Sequence, residues 1–87
     1  MRSARNRTVR ATASGRARVV DTFMDLYVTW RECSFELDVV YRRWVNAATA
    51  AGRGRAFADF SRALDAEEDA ARCFADFASY AARTLAA

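Results

Sequence analysis

Apolar residues recur every three or four positions in two long stretches of the chain, separated by a short glycine-containing segment. The first seam consists of Phe23, Leu26, Trp30, Cys33, Leu37, Val40, Trp44, Ala47 and Ala51. The second consists of Phe57, Phe60, Leu64, Glu67, Ala71, Phe74, Ala78, Ala81 and Leu85. This heptad-like spacing is typical of helices that pack along one face. It predicts an all-α chain with one helix over about 17–51 and another over about 55–85.

The segment Gly52-Arg53-Gly54 lies between the two stretches, and glycine commonly ends a helix or forms a turn. Cys33 and Cys73 each lie 20 positions from Arg53. This symmetry predicts an antiparallel hairpin with its turn at 52–54, in which residue i faces about residue 106 − i. In that register large residues mostly face small ones, with Trp44 opposite Ala63, as close packing requires. The two cysteines are then candidates for a disulfide, which needs Cα atoms within about 7 Å. The alternative is a pair of reduced thiols that pack as small hydrophobic side chains.

A further apolar strip lies on the first helix, away from its seam: Met24, Val28, Phe35 and Val39. We call it the outer strip. Two helices share one interface and cannot cover both faces of the first helix. The outer strip therefore predicts an oligomer interface, either in a homodimer that forms a four-helix bundle or with another helical protein. The alternative is that these side chains are singly exposed, which is common.

All 14 basic residues are arginine, and the net charge of +3 hides an asymmetry. Residues 1–18 contain no acid and six arginines: Arg2, Arg5, Arg7, Arg10, Arg16 and Arg18. The charge pattern predicts a basic arm at 1–18, flexible or partly helical, followed by a hairpin at 19–87. The six arginines are candidates for phosphate contacts with a nucleic acid. An anionic membrane would attract the same charges, and the remaining alternative is a basic tail without a ligand.

Glu67 occupies a seam position where an apolar residue is expected. A buried carboxylate is costly unless it is paired. We expect Glu67 to be a buried polar residue, paired near Arg42, Arg43 or Tyr41, and to fix the register of the helices. The alternative is that the Glu67 carboxylate binds a ligand or a metal ion at the centre of a helical bundle. The chain has no histidine, which the Glu-x-x-His pairs of ferritin-like sites need.

The absence of histidine also removes the usual general base, and no glycine-rich phosphate loop is present. We expect no catalytic residue, no cofactor and no metal. No segment approaches the roughly 20 apolar residues of a spanning helix. Arginine in place of every lysine is typical of a GC-rich bacterial genome. The sequence therefore predicts a cytoplasmic, non-enzymatic interaction or scaffold protein. The alternative is a dimeric nucleic-acid-associated protein that binds phosphates through the arm.

Overall fold

The computed structural model describes the backbone of residues 2–86 and the side chains of residues 13–86. It has two α-helices, α1 at Arg2–Val45 and α2 at Ala50–Ala86. They run antiparallel and pack against each other along their lengths, so the predicted all-α helical hairpin is confirmed. The chain has no proline, and alanine, arginine and leucine all favour helix. These propensities explain why both helices are long.

The loop of the hairpin lies at 46–49, and the predicted turn at 52–54 is wrong. The N–H of Asn46 still donates to the Arg42 carbonyl at 3.0 Å, so α1 ends immediately before this residue. The Thr49 hydroxyl accepts a hydrogen bond from the N–H of Gly52 at 3.0 Å. Threonine favours this N-cap position because its oxygen satisfies a donor that the start of a helix leaves free. Gly52 and Gly54 therefore lie inside α2, and neither has a positive φ.

The helix α1 continues through the predicted arm without a break at residue 18. Its backbone is helical from Arg2, so the arm and the hairpin share one helix. The side chains of residues 1–12 lie outside the described part of the chain. At its other end, α1 has Arg42 and Arg43 in the last turn, where positive charge complements the helix dipole.

Aromatic contacts between the helices define the register. Trp44 packs on Phe57 and Phe60, and Phe74 packs on Phe23 and Trp30. The residue numbers of these pairs sum to 97–104, so residue i faces about residue 101 − i. The predicted relation of 106 − i is wrong because the loop lies earlier in the chain. As a result, large side chains pack on one another, and the predicted pairing of large residues with alanine does not occur.

The hairpin has little interior. Among the described residues, only Val40 and Ala81 are buried, with 5% and 6% of their surface exposed. The accessible surface of the chain is 6797 Å², whereas a compact monomer of 9.7 kDa has about 5,100 Å². The helix faces that the hairpin leaves uncovered, with ten large hydrophobic side chains exposed among the described residues, contribute to this excess.

Gly54→Ala is expected to raise the free energy of unfolding by about 0.5–1 kcal/mol, because glycine in a helix interior is less favourable than alanine. A Cβ atom at position 54 would meet nothing within 4 Å. The matched control is Gly52→Ala, where a Cβ atom would lie 2.9 Å from the Thr49 hydroxyl and would disturb the N-cap. A smaller gain is expected there. Urea denaturation measures both variants, and a loss of stability in Gly54→Ala would contradict the helical assignment of this residue.

Candidate interaction surface

Phe74 is the centre of an aromatic cluster in the half of the hairpin distant from the loop. Its ring centroid lies 5.0 Å from that of Phe23, 5.7 Å from that of Tyr27 and 5.3 Å from that of Trp30. Phe23 and Trp30 are seven positions apart and lie on the α2-facing side of α1, Tyr27 lies at the edge of that side, and all three converge on Phe74. Trp30 stacks on Phe74 with an interplanar angle of 20°. We call these four residues the distal cluster.

A second group, the loop cluster, joins the helices close to residues 46–49. The ring centroid of Trp44 lies 5.2 Å from that of Phe57 and 5.2 Å from that of Phe60. Tyr41 lies 5.8 Å from Phe60, again between ring centroids. Aromatic pairs in such geometry contribute about 0.5–1.5 kcal/mol each beyond the area they bury. The two clusters therefore hold α1 and α2 together at separate points, and they account for most of the large aromatic side chains.

Glu67 lies between the two clusters and is half-buried rather than buried. Its Oε1 accepts a hydrogen bond from the Trp30 Nε1–H at 2.8 Å, and the Ser34 hydroxyl lies 3.4 Å away as a second donor. The expected pairing near Arg42, Arg43 or Tyr41 is wrong, because the register differs by about five residues from the predicted one. The indole of Trp30 thus contacts α2 through stacking and through a hydrogen bond. This arrangement ties the register to the distal cluster and gives Glu67 a structural role.

Both cysteines are free thiols, with Cys33 half-buried and Cys73 exposed. The candidate disulfide depended on their equal distance from a turn at Arg53, and the turn is not there. In the observed register Cys33 faces about residue 68 rather than Cys73. Within residues 13–86, no three side chains of the metal-binding types gather into a group that could hold a metal ion.

The outer strip is largely uncovered. Phe35 is 70% exposed, and Met24 and Val28 are 49% and 48% exposed, while Val39 is half-buried. Further large hydrophobic side chains with at least 39% of their surface exposed are Val20, Tyr27, Tyr41, Val45, Phe57, Tyr80 and Leu85. Isolated exposed hydrophobic residues are ordinary, but those of α1 form a run along the helix from Val20 to Val45. Such runs typically mark a surface that another protein covers.

A shallow groove of about 260 Å³ opens between the helices at the end distant from the loop. It is lined by Val19, Val20, Phe23, Ala78, Ala81, Ala82 and Leu85. The groove exists because α2 presents alanines to the valines of α1, and these small side chains do not fill the space between the helices. None of the lining side chains is polar, so none could orient a small-molecule ligand by hydrogen bonding.

Apart from Glu67, the described charged side chains of the body lie on the surface. Exposed ion pairs join Asp38 to Arg42 at 2.9 Å and Asp69 to Arg72 at 3.3 Å, and another joins Asp59 to Arg62. Pairs of this kind stabilise a helix by only about 0.2–0.5 kcal/mol each. Of the candidate phosphate contacts, Arg16 and Arg18 are exposed. The side chains of Arg2, Arg5, Arg7 and Arg10 lie outside the described part of the chain.

Over its described residues, neither helix contains a stretch that is both long enough and apolar enough to cross a lipid bilayer. No protein-family model matches the chain, and no curated protein or solved structure shows significant similarity to it.

Proposed function

We propose that the protein is an interaction or scaffold protein that associates through the apolar helix faces of its hairpin and forms a homodimeric four-helix bundle. The observation that supports this most directly is the run of exposed hydrophobic side chains on α1, from Val20 to Val45. A single α2 helix covers one face of α1, and the side chains of this run remain 40–70% exposed. The proposed function involves no catalytic step. The protein binds its partner through complementary shape and apolar contact.

The amount of uncovered surface supports a partner of substantial size. The chain exposes about 1,700 Å² more than a compact monomer of its mass, and the uncovered apolar side chains of α1 contribute to this excess. Obligate homodimers bury about 2,000–5,000 Å² in total. A small helical core rarely stabilises a chain by more than about 3–5 kcal/mol without such assistance. A second hairpin would supply the missing half of the core.

Light scattering of the purified chain at about 100 μM, well above ordinary dimer dissociation constants, is expected to give a mass near twice 9.7 kDa. The midpoint of thermal unfolding should also rise with protein concentration, because association stabilises the folded state by mass action. Circular dichroism on the same samples should show a mainly helical chain. A monomeric mass with a midpoint that does not depend on concentration would contradict self-association.

A second candidate function is binding of a nucleic acid through the arm, and one observation favours it. The backbone of α1 is helical from Arg2, while α2 ends at Ala86, opposite about residue 15 of α1. The arm therefore extends past the end of the hairpin as a basic helical segment with no α2 alongside it. A helix of this kind could approach a phosphate backbone without disturbing the packing between α1 and α2.

A further inference from the structure

In a four-helix bundle, the second contact face of α1 must lie in a particular direction around the helix axis, and the outer strip does not lie in that direction. Each helix of a bundle contacts two neighbours, in directions about 90° apart around its axis. Phe35 follows Trp30 by five residues, which turns it about 140° away from the face that contacts α2. Val28 precedes Trp30 by two residues and is turned about 160° away. Two hairpins joined through the outer strip would form a row of four helices, so a bundle requires a different face.

The helix α1 has a face with the required direction. It begins at Val20 and continues in alternating steps of four and three residues to Val45, and we call it the second seam. Each position follows a residue of the α2-facing seam by one, which is a rotation of about 100°. Both ends of the second seam are apolar, and Val20, Met24, Tyr27, Tyr41 and Val45 are 40–60% exposed. Tyr27 and Tyr41 also contact α2 through Phe74 and Phe60, and the Ser34 hydroxyl donates to Glu67, so one edge of this face borders α2. The apolar ends of the face still have the spacing, the direction and the exposure that an unpaired bundle helix should have.

We propose that the second seam packs antiparallel against the second seam of another copy of the chain, around a two-fold axis near residues 32 and 33. The inference rests on the proposed function and names the face and the register of the association. In this register Val20 meets Val45 of the partner subunit, and Met24 meets Tyr41 of the partner subunit. The apolar end of each second seam thus covers the opposite apolar end of the other copy, and the polar centres of the two copies face each other.

The charges at the centre of the second seam determine the orientation. Antiparallel packing places Arg31 beside Ser34 of the partner subunit and one turn from Asp38 of the partner subunit. It also places the Tyr27 hydroxyl beside that carboxylate, as a hydrogen-bond donor. Parallel packing would instead place Arg31 against its own copy and Asp38 against its own copy. Asp38 also pairs with Arg42 of its own helix, which weakens its repulsion of a second Asp38, so the main penalty of parallel packing is the contact between two Arg31 side chains. The antiparallel arrangement removes that contact and is favoured.

The helix α2 fits the same two-fold axis. Val20 and Ala82 line one groove, which shows that they lie on the same side of the hairpin. Phe57 precedes Ala82 by 25 residues and so lies within about 20° of it around α2. The two-fold axis brings the half-exposed Phe57 against Ala82 of the partner subunit. It brings Leu64 against Ala75 of the partner subunit in the same way. Large side chains thus meet small ones, as close packing requires.

Cross-linking between two cysteine variants tests this register. One chain carries Val20→Cys and the other carries Val45→Cys, both in a background with Cys33→Ser and Cys73→Ser. The two chains are mixed, allowed to exchange subunits and treated with a short bifunctional maleimide. Within one chain the two positions are about 37 Å apart, so a link between them can form only between chains. Since both side chains are exposed in the hairpin, the substitutions should preserve helicity, which circular dichroism checks.

The expected result is a cross-linked species of twice 9.7 kDa that approaches half of the protein in an equimolar mixture, because random exchange gives that share of mixed dimers, with little from either variant alone. The matched control replaces Val20→Cys with Val28→Cys, which is equally exposed, at 48% against 47%, but lies off the second seam. That mixture should give no link. Linking of Val20→Cys to itself would establish parallel packing and overturn the proposal. A dimeric mass without the expected link would overturn the register but leave the proposed function intact, whereas a monomeric mass would overturn both.

Discussion

Phe74→Ala is expected to lower the free energy of unfolding by about 3 kcal/mol, a large share of the total stability of a small domain. Phe74 is the one α2 side chain on which Phe23, Tyr27 and Trp30 all converge. Its removal leaves three aromatic rings of α1 without their partner and opens a cavity beside the hydrogen bond from Trp30 to Glu67. Chemical denaturation monitored by circular dichroism measures the change.

The same substitution at Phe35 is the matched control, because Phe35 is 70% exposed and faces away from α2. Phe35→Ala should change the free energy of unfolding by no more than about 0.5 kcal/mol. It should also leave the dimeric mass unchanged, since Phe35 lies outside the second seam. Equal losses of stability in the two variants would contradict the assignment of faces on α1. Dissociation of the dimer by Phe35→Ala would show that the outer strip, and not the second seam, forms the dimer interface.

The helices themselves could be predicted from the sequence because their apolar residues are regularly spaced. The residues of α1 that contact α2, such as Phe23, Trp30 and Trp44, belong to the predicted seam, and so do Phe60 and Phe74 of α2. A spacing of three and four determines which side of each helix turns inward. It carries no information about how far one helix is shifted along the other.

The loop could not be located by spacing or by propensity. Ala47 and Ala48 lie within the loop and Ala50 and Ala51 begin α2, but alanine favours helix at all four positions. The helical pattern in the sequence therefore continues to the glycines. The two glycines then suggested a turn, although both adopt ordinary helical backbone angles. The signal that did mark the boundary was Thr49, a residue type that favours the N-cap. A single capping side chain is a weak feature in a sequence, but its hydrogen bond to Gly52 is definite in the structure.

The difference between the predicted and the observed register changes which side chains form the candidate interaction surface. A relation of 106 − i satisfied the expectation that large residues face small ones, with Trp44 opposite Ala63. The observed relation gathers large aromatic side chains into two clusters and leaves alanines elsewhere along α2 without bulky neighbours. Those alanines contribute to the groove beside Val20. The pairing of large with small side chains therefore does not occur at the aromatic clusters within the hairpin. It occurs between hairpins in the proposed dimer, where Phe57 faces Ala82 of the partner subunit.

For the nucleic-acid function, the arm predicts a strong dependence of binding on salt. Neutralisation of six phosphates by the six arginines of residues 1–18 gives a slope of log K against log salt of about −5. Raising the salt concentration from about 50 to 200 mM should then weaken binding about a thousandfold. Replacement of these six arginines by glutamine should abolish binding while preserving the helix, since glutamine is also a good helix former. Fluorescence anisotropy with a labelled DNA or RNA duplex measures both effects.

The matched control replaces arginines of the body that already pair with neighbouring carboxylates, such as Arg62→Gln and Arg72→Gln. These changes should leave the affinity nearly unchanged, because the paired side chains lie on α2 rather than on the arm. The dimeric mass should survive both sets of substitutions, since the second seam begins at Val20. If the full chain binds no duplex even at low salt, the arm has no nucleic-acid function and the interaction function stands alone. If the arm substitutions dissociate the dimer instead, the first turns of α1 belong to the interface, which then extends beyond the second seam.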